Sequence, residues 1–91
     1  MKVKFFATYR HLTGCTVREV CAPATVGDLL RAFAEEYGDE MRRMLLSGAG
    51  DDLGPEAIIL INGRNILHLG VLDAPLQEGD TVAVFPVVAG G

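Results

Sequence analysis

The chain has 91 residues, of which 49% are hydrophobic and 22% are charged. This length suits one compact domain with a single core and leaves no room for a second domain. The formal net charge of −4 argues against a nucleic-acid partner, because phosphate contacts need clustered lysine and arginine. No apolar run approaches a membrane span, and the N-terminal residues do not resemble a signal peptide, so we expect a cytoplasmic protein without a membrane partner.

Alternating apolar residues predict that the chain opens with a β-strand. Val3, Phe5 and Ala7 would face the core, and Phe6 would face the opposite side. A break follows at residues 11–14. The β-branched residues between 15 and 21 predict a second strand, which pairs with the first as a hairpin and ends near Pro23.

The cysteines, Cys15 and Cys21, form no CxxC unit and stand near no histidine pair. We therefore expect reduced thiols and no metal site. The two residues have the same parity in the second predicted strand, and we expect both to be buried rather than reactive.

The clearest helix begins after Thr25, whose side chain can cap the first turn. Asp28 stands at the acidic position of a capping box, and apolar residues then recur on one helical stripe, namely Val26, Leu29, Leu30, Phe33 and Tyr37. Gly38 is a suitable terminator. Residues 39–46 predict a second, shorter helix, and the composition of residues 47–52 predicts a loop.

The second half of the chain reads as strands and turns. The apolar run 57–61 predicts a central strand buried on both faces, and Asn62-Gly63 predicts a tight turn from which residues 64–67 return. A turn at 77–80 precedes a last strand at 81–85, which Pro86 ends because proline cannot donate to a ladder. This order predicts an α+β domain over residues 1–85, with a mixed sheet packed on one main helix and a second short helix, followed by a flexible tail at 86–91.

The tail ends in Gly90-Gly91 and has no periodic pattern. Residues without side chains can thread a narrow channel and place a terminal carboxylate at a buried reaction centre. A carboxylate becomes an acyl donor once it is activated, usually as an acyl-adenylate, and a partner would supply the catalytic groups. From the tail alone, an inert frayed end remains an equal alternative.

Few other residues suggest chemistry. His11 and His68 are far apart and lack a Ser, Cys or carboxylate arrangement typical of catalysis, so we expect them to be structural or solvent-facing. Phe6 is a candidate for a partner-docking patch with Phe85, and a partly exposed sheet aromatic is an equally good interpretation of Phe6. We interpret Arg64 primarily as a residue of the Asn62-Gly63 turn and only secondarily as a docking contact.

The segment that ends in Phe85-Pro86-Val87-Val88-Ala89-Gly90-Gly91, beginning at Leu76, resembles the MoaD family, the small subunit of molybdopterin synthase. The opening Val3-Lys4-Phe5-Phe6-Ala7, the helix start Thr25-Val26-Gly27-Asp28-Leu29-Leu30 and the stretch Ile61-Asn62-Gly63-Arg64 are also similar to the family. The resemblance spans nearly the whole chain. It implies a ubiquitin-like β-grasp fold, in which a sheet wraps one helix.

The resemblance also implies a sulfur carrier that is not an enzyme on its own. An ATP-dependent adenylating enzyme related to ubiquitin-activating enzymes would adenylate Gly91, and a sulfur donor would convert it to a thiocarboxylate. The tail would then enter the large synthase subunit and pass sulfur to the pyranopterin precursor of the molybdenum or tungsten cofactor. The chain would bind no cofactor itself, and the activating partner would use ATP.

Individual site residues follow from the same resemblance. Gly91 would carry the sulfur, and Gly90 would give the tail access to a narrow channel. The residues expected at the partner interface are Phe6, Arg64, Phe85, Pro86, Val87, Val88 and Ala89. Val87 departs from the family, which usually has a second proline after Pro86.

Three other functions remain open at this point. One is a related carrier for thiamin thiazole synthesis, which is typically shorter and lacks the Phe-Pro element. Another is a protein modifier joined through Gly91 to target lysines, for which only Lys2 and Lys4 could accept self-linked chains. The last is a β-grasp interaction module with an inert end.

Overall fold

The computed structural model describes residues 1–87, and the predicted tail residues Val88, Ala89, Gly90 and Gly91 lie outside the described residues. The strands and helices, in chain order, are β1 Lys2–Phe5, α1 Thr8–Thr13, β2 Val17–Glu19, α2 Val26–Tyr37, α3 Asp39–Leu45, β3 Leu46–Ser47, β4 Asp52–Leu53, β5 Ile58–Ile61, β6 Arg64–Asn65 and β7 Thr81–Phe85. Short 3-10 helices, Ile66–His68 and Val71–Asp73, lie between β6 and β7.

A mixed sheet organises the domain, as predicted. Its strand order within residues 1–87 is β2-β1-β7-β5-β6, with β1 and β7 parallel and the other neighbours antiparallel. A parallel pair needs a crossover connection from one end of the sheet to the other. The segment that contains α2 makes this crossing, so the first and last strands lie side by side and β7 occupies the middle of the sheet.

The main helix is confirmed together with its cap. The Thr25 side chain accepts a hydrogen bond from the Asp28 backbone N–H at 3.2 Å, and α2 ends at Tyr37, directly before Gly38, where φ is 99°. Phe33 on its buried face meets Phe5 of β1 edge to face, with ring centroids 5.5 Å apart. Each fully buried side chain of this size contributes about 1.5–3 kcal/mol, so the packing of α2 on the sheet contributes several kcal/mol to stability.

The N-terminal prediction is partly wrong. β1 ends at Phe5, and Ala7 adopts a φ of 53° that turns the chain into α1, where only a break was predicted. A helix of six residues is too short to show an apolar period, and it begins without a side-chain cap. β1 and β2 do pair antiparallel, but α1 joins them in place of a tight turn.

The predicted burial of both cysteines is also wrong. Cys21 is exposed and Cys15 is half-buried, and both are free thiols. β2 extends only from Val17 to Glu19, so neither cysteine lies in the strand and strand parity does not govern its burial.

The prediction for the apolar run in β5 is wrong in two respects. β7, not β5, is the middle strand, and β5 lies between β7 and β6. Ile59 and Ile61 are buried, but Ile58 and Leu60 are only partly buried. Burial on both faces was therefore a wrong prediction, and the outward side of β5 remains accessible.

The shorter elements agree with the sequence in outline. α3 covers the predicted second helix, although Leu46 belongs to β3. The predicted loop at 47–52 is a small hairpin, in which β3 pairs with β4. β6 returns after Asn62-Gly63 as predicted but stops at Asn65, whose side chain caps the following 3-10 helix.

Candidate functional site

The side of the sheet opposite α2 carries partly exposed side chains, and strand parity determines which ones. Val3, Phe5, Val82 and Val84 are buried towards α2, so the alternate residues of β1 and β7 point outward. Ala83 lies opposite Leu60, and Phe85 lies opposite Ile58. We call the apolar group on this side the outer-face patch, which consists of Phe6, Ile58, Leu60, Ala83 and Phe85.

Phe6 and Phe85 form the most prominent part of the patch. Their rings stack with centroids 4.2 Å apart and an interplanar angle of 9°. The Phe6 backbone N–H donates to the Val84 carbonyl at 3.1 Å, which extends the parallel register beyond the end of β1 and places Phe6 beside Phe85. Two partly exposed, stacked aromatic rings form a large apolar surface of the kind that marks interaction sites.

The structure does not bring Arg64 to this patch. Arg64 is exposed and pairs with Ile61, whose side chain faces the core side of the sheet. Phe85 pairs with Ile58, at the other end of β5. Arg64 and the aromatic pair therefore lie at opposite ends of β5, and a contact between Arg64 and a partner stays a prediction.

A groove with a cavity volume of about 700 Å³ opens where the chain leaves the sheet. We call it the tail-root groove, because Pro86 and Val87 form part of its lining. α3 contributes Glu40, Arg43 and Met44, and the segment before β5 contributes Pro55 and Glu56. Val87 itself is 47% exposed.

A buried tyrosine fixes one wall of this groove. Tyr9 of α1 donates its hydroxyl hydrogen to the Glu56 backbone carbonyl at 2.5 Å. Burial, and to a lesser extent the nearby Glu56 carboxylate, raise the pKa of Tyr9, so the phenol remains a protonated donor at neutral pH. The Tyr9 hydroxyl therefore holds the segment around Glu56 against α1.

The remaining candidates do not gather into a reaction centre. His11 in α1 and His68 in a 3-10 helix are both exposed, in agreement with a structural or solvent-facing role. Over residues 1–87, no group of three or more His, Cys, Asp or Glu side chains could share a metal ion. No helix of the described chain has the length and apolar character required to cross a bilayer.

Sequence reasoning missed part of the patch and the whole groove. The sequence predicts that Ile58 and Leu60 are buried. An equally apolar strand can, however, bury one face in the core and present the other face to a partner. The groove is built from separate segments that have no common spacing in the sequence, and only the fold brings Glu40 and Glu56 to the same cavity.

A mixed sheet that wraps a long helix and leads from its middle strand into the C-terminal residues defines the ubiquitin-like β-grasp class. Within this class, the chain belongs to the ThiS family, whose family model matches residues 3–91. The ThiS and MoaD proteins form one ubiquitin-like superfamily, so both the predicted resemblance to MoaD and the predicted fold are confirmed. Carriers of the ThiS and MoaD type are small ubiquitin-like proteins that are not catalytic on their own.

The chain is similar to relatives of two kinds. It is 39% identical over 93 residues to small archaeal modifier protein 3 of Haloferax volcanii, covering 100% of this chain and 98% of that protein. It is 33% identical over 91 residues to the molybdopterin synthase sulfur carrier subunit of Escherichia coli, covering 100% and 99%. The solution structure of small archaeal modifier protein 1 from Methanosarcina acetivorans superimposes with a TM-score of 0.78 at 31% identity, covering 99% and 94%.

Proposed function

We propose that this protein is the sulfur carrier subunit of molybdopterin synthase and that Gly91 carries the sulfur as a thiocarboxylate. The observation that supports this most is the position of the Phe6–Phe85 stack, a partly exposed apolar surface at the point where the chain leaves β7 towards Gly91. Such a surface can hold a partner while the tail enters that partner's active site. The similarity to the Escherichia coli carrier subunit gives further support.

The proposed chemistry takes place at a single carboxylate. The Gly91 carboxylate attacks the α-phosphate of ATP in an adenylating enzyme and releases pyrophosphate. A donor at the oxidation level of hydrosulfide then adds to the acyl carbon and displaces AMP, which leaves a thiocarboxylate. In the large synthase subunit, sulfur passes to the pyranopterin precursor, and water restores the carboxylate. The folded domain contributes the docking surface and the reach of the tail.

Intact-mass analysis tests the proposal directly. We expect protein isolated from a cell that contains its adenylating enzyme to include a fraction in which one oxygen is replaced by sulfur. That fraction should disappear when the protein is incubated with the large synthase subunit and the pyranopterin precursor. A thiocarboxylate that persists in this incubation would instead indicate a carrier for another pathway, such as thiamin thiazole synthesis.

A protein modifier is the second candidate, and the similarity to small archaeal modifier protein 3 favours it. The same acyl-adenylate would then be opened by a lysine ε-amine to form an isopeptide bond. Tryptic digestion of cell extracts would detect this product as lysines that carry the peptide 65–91, because no Lys or Arg follows Arg64. If only lysine adducts were found and no thiocarboxylate, the carrier proposal would be wrong.

Replacing Phe85 by alanine is expected to weaken binding of the adenylating enzyme. Removal of one ring of a stacked pair at the centre of an interface typically costs about 2 kcal/mol or more, which corresponds to roughly 30-fold in affinity. Calorimetric titration of the enzyme with the wild-type and variant carriers would measure the change. Leu67→Ala is the matched control, because Leu67 is a 60% exposed apolar residue of the 3-10 helix after β6 and is not one of the patch residues. Equal affinities for wild type and F85A would contradict a docking role for the patch.

A further inference from the structure

The tail-root groove is a second surface beside the tail, and the outer-face patch does not include it. We propose that the groove receives a basic side chain of the enzyme that adenylates Gly91, with Glu40 and Glu56 as its ionic partners. The inference rests on the proposed function, since it concerns the same activating partner. It adds a contact that orients the carrier during activation.

The length of the tail limits how far the activating enzyme can lie from the groove. Val87 lines the groove, and Gly91 follows it after 91 − 87 = 4 residue-to-residue steps. An extended chain covers at most about 3.6 Å per residue, so Gly91 lies within about 14 Å of Val87. An enzyme that holds Gly91 in a buried site must therefore bring its own surface to the mouth of the groove.

Buried contacts hold the walls of the groove in place before any partner arrives. Tyr9 fixes the Glu56 backbone through its hydroxyl hydrogen bond. Gly54, two residues earlier, donates its N–H to the Leu45 carbonyl at 2.7 Å and so ties the same segment to the end of α3. Met44, which is 6% exposed, closes the apolar side. Binding to a preformed groove costs little ordering entropy.

The side chains that line the groove carry a net negative charge. Glu40 and Glu56 contribute two carboxylates and Arg43 one guanidinium, so the net charge of the lining is 1 − 2 = −1. None of the three side chains forms an ion pair with another residue of the described range 1–87. A cationic side chain from the partner would complement the carboxylates, whereas an anionic one would be repelled. Arg43 would repel that cation, so the two glutamates are its expected contacts.

The test uses the full-length carrier with both glutamates changed, as Glu40→Lys/Glu56→Lys. ATP–pyrophosphate exchange by the adenylating enzyme reports the KM for the carrier and the kcat of adenylation. We expect KM to rise about tenfold or more, while kcat stays within about twofold, because a docking contact affects encounter and not the acyl chemistry. The difference from wild type should shrink at high ionic strength.

The matched control, Glu35→Lys/Asp73→Lys, makes the same change in net charge at exposed carboxylates outside the groove. An equal rise in KM for this control would show general charge steering and overturn the proposal. Unchanged KM for Glu40→Lys/Glu56→Lys would overturn it as well. Both glutamates are exposed, so we expect these variants to fold, and the milder Glu40→Gln/Glu56→Gln should shift KM in the same direction by a smaller factor.

The remaining outcomes distinguish a failure of the groove inference from a failure of the proposed function. If sedimentation shows wild-type dimers that the charge-reversed variant does not form, a second copy occupies the groove and the inference is wrong. If the enzyme does not adenylate wild-type carrier at all, the proposed function fails and the groove inference fails with it. Normal adenylation of wild type together with an unchanged KM for the variant contradicts the groove inference alone.

Discussion

Deletion of Gly91 is expected to abolish adenylation and to leave the thermal unfolding midpoint unchanged. The shortened chain ends in Gly90, whose carboxylate would stop about 3.6 Å short of the reacting phosphate. A misplacement of about 1 Å can cost a factor of 100 in rate, so a loss of one full residue removes activity. Within the described residues the buried core ends at Val84, and stability should therefore not depend on the tail.

Pyrophosphate exchange and differential scanning calorimetry would measure the two effects. Gly91→Ala is the matched control, since it keeps the length of the tail and adds only a Cβ. We expect this variant to be adenylated more slowly than wild type but faster than the deletion variant. Adenylation of the deletion variant at the wild-type rate would show that the reactive carboxylate is not positioned by the length of the tail.

Replacing Gly54 by alanine is expected to destabilise the protein strongly. A Cβ at this position would lie 2.6 Å from the Leu45 carbonyl carbon and 2.7 Å from the Leu46 nitrogen, and it would also collide with the Met44 carbonyl oxygen. These are backbone atoms at the end of α3 and the start of β3, which cannot move aside as a flexible side chain can. Overpacking of this kind costs about 3 kcal/mol, or roughly 12–24 °C in unfolding midpoint for a domain of this size.

Thermal unfolding followed by circular dichroism would test this prediction. Gly79→Ala is the control, because Gly79 has a φ of 95° and nothing within 4 Å of the added Cβ. That variant should lose only about 1 kcal/mol, from backbone conformation. Equal destabilisation by the two changes would show that the close approach of Gly54 to α3 is not significant. Because Gly54 anchors the segment with Glu56, G54A should also weaken docking of the adenylating enzyme.

The two surfaces beside the tail suggest how a small carrier could distinguish between partners. The outer-face patch is apolar and would suit any enzyme with a complementary hydrophobic surface. The tail-root groove carries charge and would favour a partner with a cation at the matching position. A single reactive end could thus serve more than one enzyme, with the affinity for each determined by the two contacts together.

Local sequence signals determined much of this fold. The cap at Thr25 and the helical stripe through Phe33 specified α2, because both depend on residues within a few turns of the same helix. The alternation in the first strand predicted that Phe6 faces away from the core, and the structure stacks it there on Phe85. That prediction succeeded because side-chain direction in a strand follows from the period of two alone.

Only the tertiary structure decided the strand order, the exposure of β5 and the groove. Ile58 and Leu60 are as apolar as buried residues, and nothing in their own segment tells which face a helix covers. The groove joins residues that are distant in sequence, Ala7 at one end and Val87 at the other, through the parallel pairing of β1 with β7. The sequence by itself therefore determined the main helix, the long strands and the chemistry proposed for Gly91, while long-range packing decided which surfaces lie beside the tail.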